Sequence, residues 1–102
     1  EMNLVSQACR LFEADFLAQC MLYTSTEPCA MCTGAIFWAG IPTIVYGSDA
    51  ATLGEIASGR FVVPCRELFD RASRPTAVIG PILPDEGRAI HLAYWPARYS
   101  QP

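Results

Sequence analysis

The chain has 102 residues, of which 52% are hydrophobic and 17% charged, so it can form one folded domain and is too apolar to be intrinsically disordered. Ten Asp and Glu residues outnumber seven Arg residues and there is no Lys, which leaves a net charge of −3 and argues against nucleic acid as a partner. The longest uncharged stretch, residues 28–48, is broken by Pro and Gly. We therefore predict no membrane-spanning helix, and with no signal segment at the start of the chain we expect a cytoplasmic protein.

The first half of the sequence alternates between helical and strand patterns. Apolar residues at spacings of three and four predict a helix over residues 2–11, and the loss of this phase predicts a loop over residues 13–18. The pattern that follows predicts a buried strand at 21–24, a helix from Pro28 to about Ala39 that stops at Gly40, and a second strand at 43–46.

The second half continues the alternation. It predicts a loop or short helix after Asp49, a helix at 64–72, a strand at 77–79, and a final helix at 85–95 that Pro96 ends. Asp49 is expected to cap a helix or make a turn. Strands separated by helices of this length predict crossover connections and a parallel sheet.

Two of the five cysteines have the spacing of a metal site. Cys29 and Cys32 share one face of the first turn of a helix, where unpaired backbone N–H groups favour thiolates, the form that binds zinc. Two thiolates do not complete a zinc site, which needs at least a third protein ligand. A redox dithiol and a four-cysteine structural site are the alternatives, although no second pair at ligand spacing is present. Cys9, Cys20 and Cys65 are predicted to be buried free thiols.

The string Glu27-Pro28-Cys29-Ala30-Met31-Cys32, followed by Gly34-Ala35-Ile36, resembles the zinc-binding half of the cytidine and deoxycytidylate deaminase superfamily. The match is nearest to the guanine, nucleoside and tRNA-adenosine deaminase branch. The resemblance implies a three-layer α/β/α fold with a mixed sheet whose later strands are parallel. It also leads us to expect that residues 1–102 are a single partial domain of a longer protein, truncated at its N-terminus before the first strands.

The resemblance also assigns roles to particular residues. Glu1 maps onto the catalytic acid–base of the family, and Cys29 and Cys32 onto two zinc ligands; the histidine that completes the site in the family would precede Glu1. Trp38 is a candidate to stack on the substrate. Glu27 is expected to act near the start of its own helix, and the lone His91 to be a packed or surface residue.

The function implied is zinc-dependent hydrolytic deamination of a nucleobase or nucleoside, with release of ammonia. Guanine is the favoured substrate, and cytosine and adenosine stay open. The implied cofactor is Zn²⁺ and the implied assembly a homodimer; Tyr94 and Trp95 are further candidates for the pocket. We expect the 102-residue chain alone to be inactive, because its zinc site is one ligand short. The alternative function is a non-hydrolytic Cys-x-x-Cys redox or metal-binding module.

Overall fold

The computed structural model describes residues 1–99 of the chain, and the side chains of residues 1–95. The elements follow in the order α1 Met2–Leu11, α2 Ala14–Leu17, β1 Met21–Thr26, α3 Ala30–Ala39, β2 Thr43–Ser48, α4 Ala50–Ala57, α5 Cys65–Phe69, β3 Ala77–Ile79 and α6 Pro84–Tyr99. Within residues 1–99, no helix is long and apolar enough to cross a membrane.

The strands form one parallel sheet in the order β1-β2-β3. Leu22 of β1 lies opposite Ile44 of β2, which lies opposite Val78 of β3. Thr26 and Ser48, the last residues of β1 and β2, are also paired. Because parallel strands end at the same edge of a sheet, the segments that follow these two strands meet at this edge.

The hydrophobic core lies between the sheet and one group of helices. Its fully buried members include Ile36 of α3, Ile44 of β2 and Cys65 of α5, and Val5 of α1 packs with them. Helices α4 and α6 form a separate group, in which they contact each other and α6 contacts β2. The predicted α/β architecture is therefore confirmed, and the strands predicted to be parallel are parallel.

The prediction of a loop over residues 13–18 was wrong, because Ala14–Leu17 form the short helix α2. Leu17 is only 4% exposed and belongs to the core, and the rings of Phe12 and Phe16 stack with their centroids 4.7 Å apart. These contacts stabilise a single turn that is too short to show a periodic pattern.

Three helix boundaries also differ from the prediction. Helix α3 begins at Ala30, after an extended Cys29, and α5 covers only Cys65–Phe69. Helix α6 continues to Tyr99, so Pro96 does not end it. A proline removes one N–H donor, but its fixed φ of about −65° is compatible with helical backbone.

Of the three cysteines predicted to be buried, only Cys65 is fully so. Cys20 is half-buried and Cys9 is exposed. Helix α1 turns Val5 towards the core, with Ala8 packed against it, and this orientation leaves Cys9 on the solvent side.

Candidate active site

The cysteines of the motif lie at the start of α3. Cys29 occupies the N-cap position of the helix, with φ −70° and ψ 176°, and its side chain is exposed. Cys32 lies one turn further on and is only 6% exposed. Both thiols are thus at the helix end where backbone N–H groups lack partners within the helix, as the sequence predicts.

The two thiols differ in acidity. The backbone N–H of Cys32, together with that of Met31, interacts with the Cys29 sulfur and lowers the pKa of Cys29. Burial raises the pKa of Cys32, and the interaction of its side chain with Cys29 raises it further. Cys29 is therefore the first of the pair to become a thiolate as the pH rises.

Glu1 lies beside both thiols. The charge of its carboxylate opposes the lowering of the Cys29 pKa and adds to the burial that raises the Cys32 pKa. The backbone N–H of Met2, in the first turn of α1, interacts with the Cys32 sulfur as well. The structure therefore brings Glu1, Cys29 and Cys32 together where the starts of α1 and α3 meet.

Thr24 holds the Glu1 carboxylate in place. Its hydroxyl oxygen Oγ1 donates a hydrogen bond to Glu1 Oε1 at 2.5 Å, and the pair is partly buried. The same hydroxyl lies 3.0 Å from the carbonyl oxygen of Thr26, near the end of β1. No local pattern of residues signals the contact between Thr24 and Glu1, because the two are 23 positions apart and meet only through the fold.

The site has the chemistry of an incomplete zinc centre. Two cysteine sulfurs at a helix start are donors that zinc prefers. Among the side chains of residues 1–95, no three of His, Cys, Asp or Glu come together as a metal site, so Glu1 does not join the cysteines as a third ligand. A carboxylate beside the ligands, and not among them, is what acid–base work on a zinc-activated water requires. The residues present therefore fit two ligands and an acid–base group.

A cavity of about 260 Å³ opens beside Cys29. One side is formed by α4, with Leu53 among its lining residues, and another by Phe61 and its neighbours in the segment before α5. Trp95 of α6 and Glu27 complete the lining, which is mostly apolar. A small cavity with an apolar lining and a reactive group at one side suits a flat heterocycle.

Glu27 has a different role from the one predicted. It is 6% exposed, and its Oε1 and Oε2 accept the backbone N–H groups of Ala50 at 2.8 Å and Cys65 at 2.7 Å. These are the first residues of α4 and α5, so Glu27 caps two other helices and not its own. With both oxygens engaged in capping, it is a structural residue of the cavity wall. Asp49 does cap α4 as expected, accepting the Thr52 N–H at 2.7 Å.

Among the side chains of residues 1–95, His91 does not join the two thiols in a metal-binding group, and it forms hydrogen bonds of its own. Its Nε2 is 2.9 Å from Thr26 Oγ1, and its Nδ1 accepts the indole N–H of Trp95 at 3.1 Å. The histidine is half-buried. It is therefore a packed residue, as expected, that connects the end of β1 to α6.

Trp38 is not brought together with the other predicted site residues. It is 83% exposed on α3, and its ring meets that of Phe37 edge-to-face with centroids 5.1 Å apart. It is not among the residues that line the cavity beside Cys29, whereas Trp95 is. A role for Trp38 in substrate binding stays a prediction from the sequence.

Comparison with known proteins gives this arrangement a family. Residues 1–48 match the family described as the cytidine and deoxycytidylate deaminase zinc-binding region. The chain is 42% identical over 84 residues to a probable cytosine deaminase of Schizosaccharomyces pombe, an alignment that covers 78% of this chain and 52% of the relative. It is 44% identical over 57 residues to a guanine deaminase of Bacillus subtilis, covering 53% of this chain and 36% of the relative.

A solved structure shares the fold as well. The guanine deaminase of Nitrosomonas europaea superposes with a TM-score of 0.70 at 26% identity, covering 94% of this chain and 55% of the other. The chain thus spans about half the length, or less, of the relatives it matches. It belongs to the cytidine and deoxycytidylate deaminase superfamily.

Proposed function

We propose that the protein carrying this chain is a zinc-dependent deaminase that acts on a free nucleobase or a nucleoside. Hydrolysis would replace an exocyclic amino group of the ring by oxygen from water and release ammonia. The observation that carries this proposal is the Glu1 carboxylate beside the Cys29 and Cys32 thiols, at the meeting of two helix starts. The family match supports it, since that family is described by its zinc-binding region.

Cys29 and Cys32 would hold the zinc, together with a ligand from outside the side chains that the structure describes. When bound, zinc supplies a nucleophile at neutral pH by lowering the pKa of a water to about 7. The lowered pKa of Cys29, due first to the N–H of Cys32, prepares that thiol for metal binding because zinc takes thiolates.

Glu1 would move the protons of the reaction. Its Oε1 is held by Thr24, which fixes the carboxylate and leaves Oε2 to take a proton from the attacking water. Glu1 would then deliver this proton to the ring nitrogen. It would take the second proton from the hydroxyl that the attack leaves on the ring carbon and pass it to the departing amino group, so that ammonia leaves as a neutral molecule. General acid–base catalysis of this kind contributes about 100- to 10,000-fold to a rate.

The substrate would occupy the cavity beside Cys29. Its apolar lining and the rings of Phe61 and Trp95 favour a planar ring over a phosphorylated or highly charged molecule. Guanine is our first candidate, because two of the relatives are named guanine deaminases. Cytosine is the second, since the S. pombe relative, which aligns over 84 residues, is named a probable cytosine deaminase.

The first test measures zinc and ammonia together. The purified protein that carries this chain should contain one zinc per molecule of the chain and release ammonia from one of guanine, cytosine or adenosine. Cys29→Ser and Cys32→Ser should each remove both zinc and activity. Cys9→Ser is the matched control, since Cys9 is exposed on α1 and distant in sequence from the motif, and it should change neither. Zinc that survives in both motif variants would contradict the assignment.

The redox alternative has its own observation, the interaction between the Cys29 and Cys32 side chains. A reversible disulfide between them in a protein without bound zinc and without ammonia release would favour that function. A homodimer and a cytoplasmic location are further proposals from the sequence; size-exclusion chromatography with light scattering tests the first and cell fractionation the second.

A further inference from the structure

Thr26, His91 and Trp95 form a hydrogen-bonded series that connects the sheet to the cavity. Thr26 is the last residue of β1, whereas His91 and Trp95 lie one turn apart on α6. Thr26 and His91 are 65 positions apart in the chain, and their Oγ1 and Nε2 atoms lie 2.9 Å from each other. The series therefore depends on how α6 packs on the sheet.

The donors and acceptors in this series can be assigned from chemistry. An indole N–H can only donate, so His91 Nδ1 accepts from Trp95 and carries no proton. A neutral imidazole then has its proton on Nε2, which donates to Thr26 Oγ1. The same tautomer, with its proton on Nε2 and none on Nδ1, therefore satisfies both hydrogen bonds.

The close packing of α6 on β2 leaves the series little freedom. A Cβ atom at Gly87 of α6 would lie 2.7 Å from the Cβ of Ser48, the last residue of β2.

The two ends of the hydrogen-bonded series both lie near Cys29. At one end, Thr26 directly precedes Glu27 and Pro28, and so lies three residues before Cys29 in the chain. At the other end, Trp95 lines the cavity beside Cys29. The hydrogen bond to His91 is therefore one of the contacts that orient the indole relative to that thiol, beside the edge-to-face contact with the Tyr94 ring, whose centroid lies 4.7 Å away.

We propose that His91 is a positioning residue, which ties Thr26 to Trp95 and so holds the Trp95 indole as one wall of the substrate cavity. The substrate part of this inference rests on the proposed function. A wall fixed before the ligand arrives avoids the entropic cost of ordering a side chain on binding. Loss of the hydrogen bond between His91 and Thr26 therefore weakens substrate binding and leaves the chemical step at Glu1 largely unaffected.

The tautomer can be tested without any activity. The sequence contains a single histidine, so ¹⁵N-histidine labelling of a preparation without a histidine tag gives one imidazole to read by NMR. The expected result is a protonated Nε2 and an unprotonated Nδ1. Thr26→Val should disturb these signals, whereas Thr26→Ser, which keeps the hydroxyl, and Ser25→Ala, at the exposed neighbouring position, should not. A protonated Nδ1, or a rapidly exchanging mixture of tautomers, would overturn the proposal.

The second measurement separates binding from chemistry in the protein that carries this chain. With guanine, cytosine or adenosine, whichever is deaminated, Thr26→Val should raise KM about five-fold, as the loss of one hydrogen bond of about 1 kcal/mol predicts. The value of kcat should change less than two-fold, and Thr26→Ser should restore KM. His91→Asn is the second variant should Thr26→Val not fold, because its amide can still accept from Trp95 but is too short to reach Thr26.

The two arms distinguish the ways in which the inference can fail. An unchanged KM in both Thr26→Val and His91→Asn contradicts the positioning role even if the tautomer is as expected. A fall in kcat in both variants, with KM unchanged, shows a role in the chemistry or the fold and also contradicts the positioning role. A wild-type protein that deaminates none of the three substrates contradicts the proposed function, and with it the substrate role of Trp95, while the imidazole tautomer stays as measured.

Discussion

The Thr24 hydroxyl donates to the Glu1 carboxylate at 2.5 Å, and this hydrogen bond joins strand β1 to the start of α1 beside the thiol pair. Thr24→Val keeps the shape of the side chain but removes the donor. A hydrogen bond to a charged group contributes about 1.5–3 kcal/mol, so the loss of this orientation should lower kcat by roughly ten-fold or more. Ammonia release measures it; Thr24→Ser should stay near wild type, and equal rates for the valine and serine variants would contradict the role of the hydroxyl.

Glu1→Gln removes the acid–base group while preserving its size. Because Glu1 does not join the cysteines as a metal ligand, the variant should still hold zinc but lose at least about 100-fold in kcat. Metal analysis and ammonia release on the same sample check both statements. Glu13→Gln is the matched control, since Glu13 is exposed and makes no capping bond through its side chain. Loss of zinc in Glu1→Gln would argue for a role in metal binding instead.

Glu27→Gln tests whether the Glu27 carboxylate caps both α4 and α5. One carboxylate oxygen becomes an amide NH₂ group, which then faces the backbone N–H of either Ala50 or Cys65 in place of an acceptor. Because Glu27 is buried, an unsatisfied N–H there should cost about 1–3 kcal/mol of unfolding free energy. Urea denaturation measures the loss. Glu55→Gln, at an exposed position on α4, should change stability by less than about 0.5 kcal/mol, and an equal effect of both variants would refute the capping role.

Cys65 should make the fold sensitive to alkaline pH. Burial, assisted by the interaction with Glu27, raises the pKa of Cys65 from its ordinary value of 9.0 to about 12. The folded state therefore keeps its proton where the unfolded chain has lost it. The resulting stability is fully present below pH 9 and is lost progressively as the pH rises towards 12.

Cys65→Ala isolates this contribution. In denaturation curves taken from pH 8 upwards, the wild-type protein should lose more unfolding free energy with rising pH than the variant. The comparison of slopes removes the effect of the cavity that alanine leaves, because that cost does not depend on pH. Identical slopes for the two proteins would show that the Cys65 thiol is not protected in the folded state.

Much of the candidate site could be predicted from the sequence because its signals are short-range. The spacing of Cys29 and Cys32 puts both on the first turn of one helix, and Asp49 caps α4 through a bond to a residue three positions on. The resemblance to the deaminase family supplied Glu1, which no spacing rule within this chain would have singled out. These features follow from local backbone geometry or from a known motif.

Patterns of a few neighbouring residues were enough to predict the alternation of strands and helices and the thiol pair, and the length of the helices between strands was enough to predict the parallel sheet. It takes the folded chain to show that Thr24 holds Glu1, that Glu27 caps α4 and α5, and that Trp95, unlike Trp38, lines the cavity beside Cys29. These relationships join residues that lie 23 or more positions apart, or depend on which face of a helix meets a neighbour. They are fixed by the register of the sheet and the packing of α6 on it, which no local pattern of residues records.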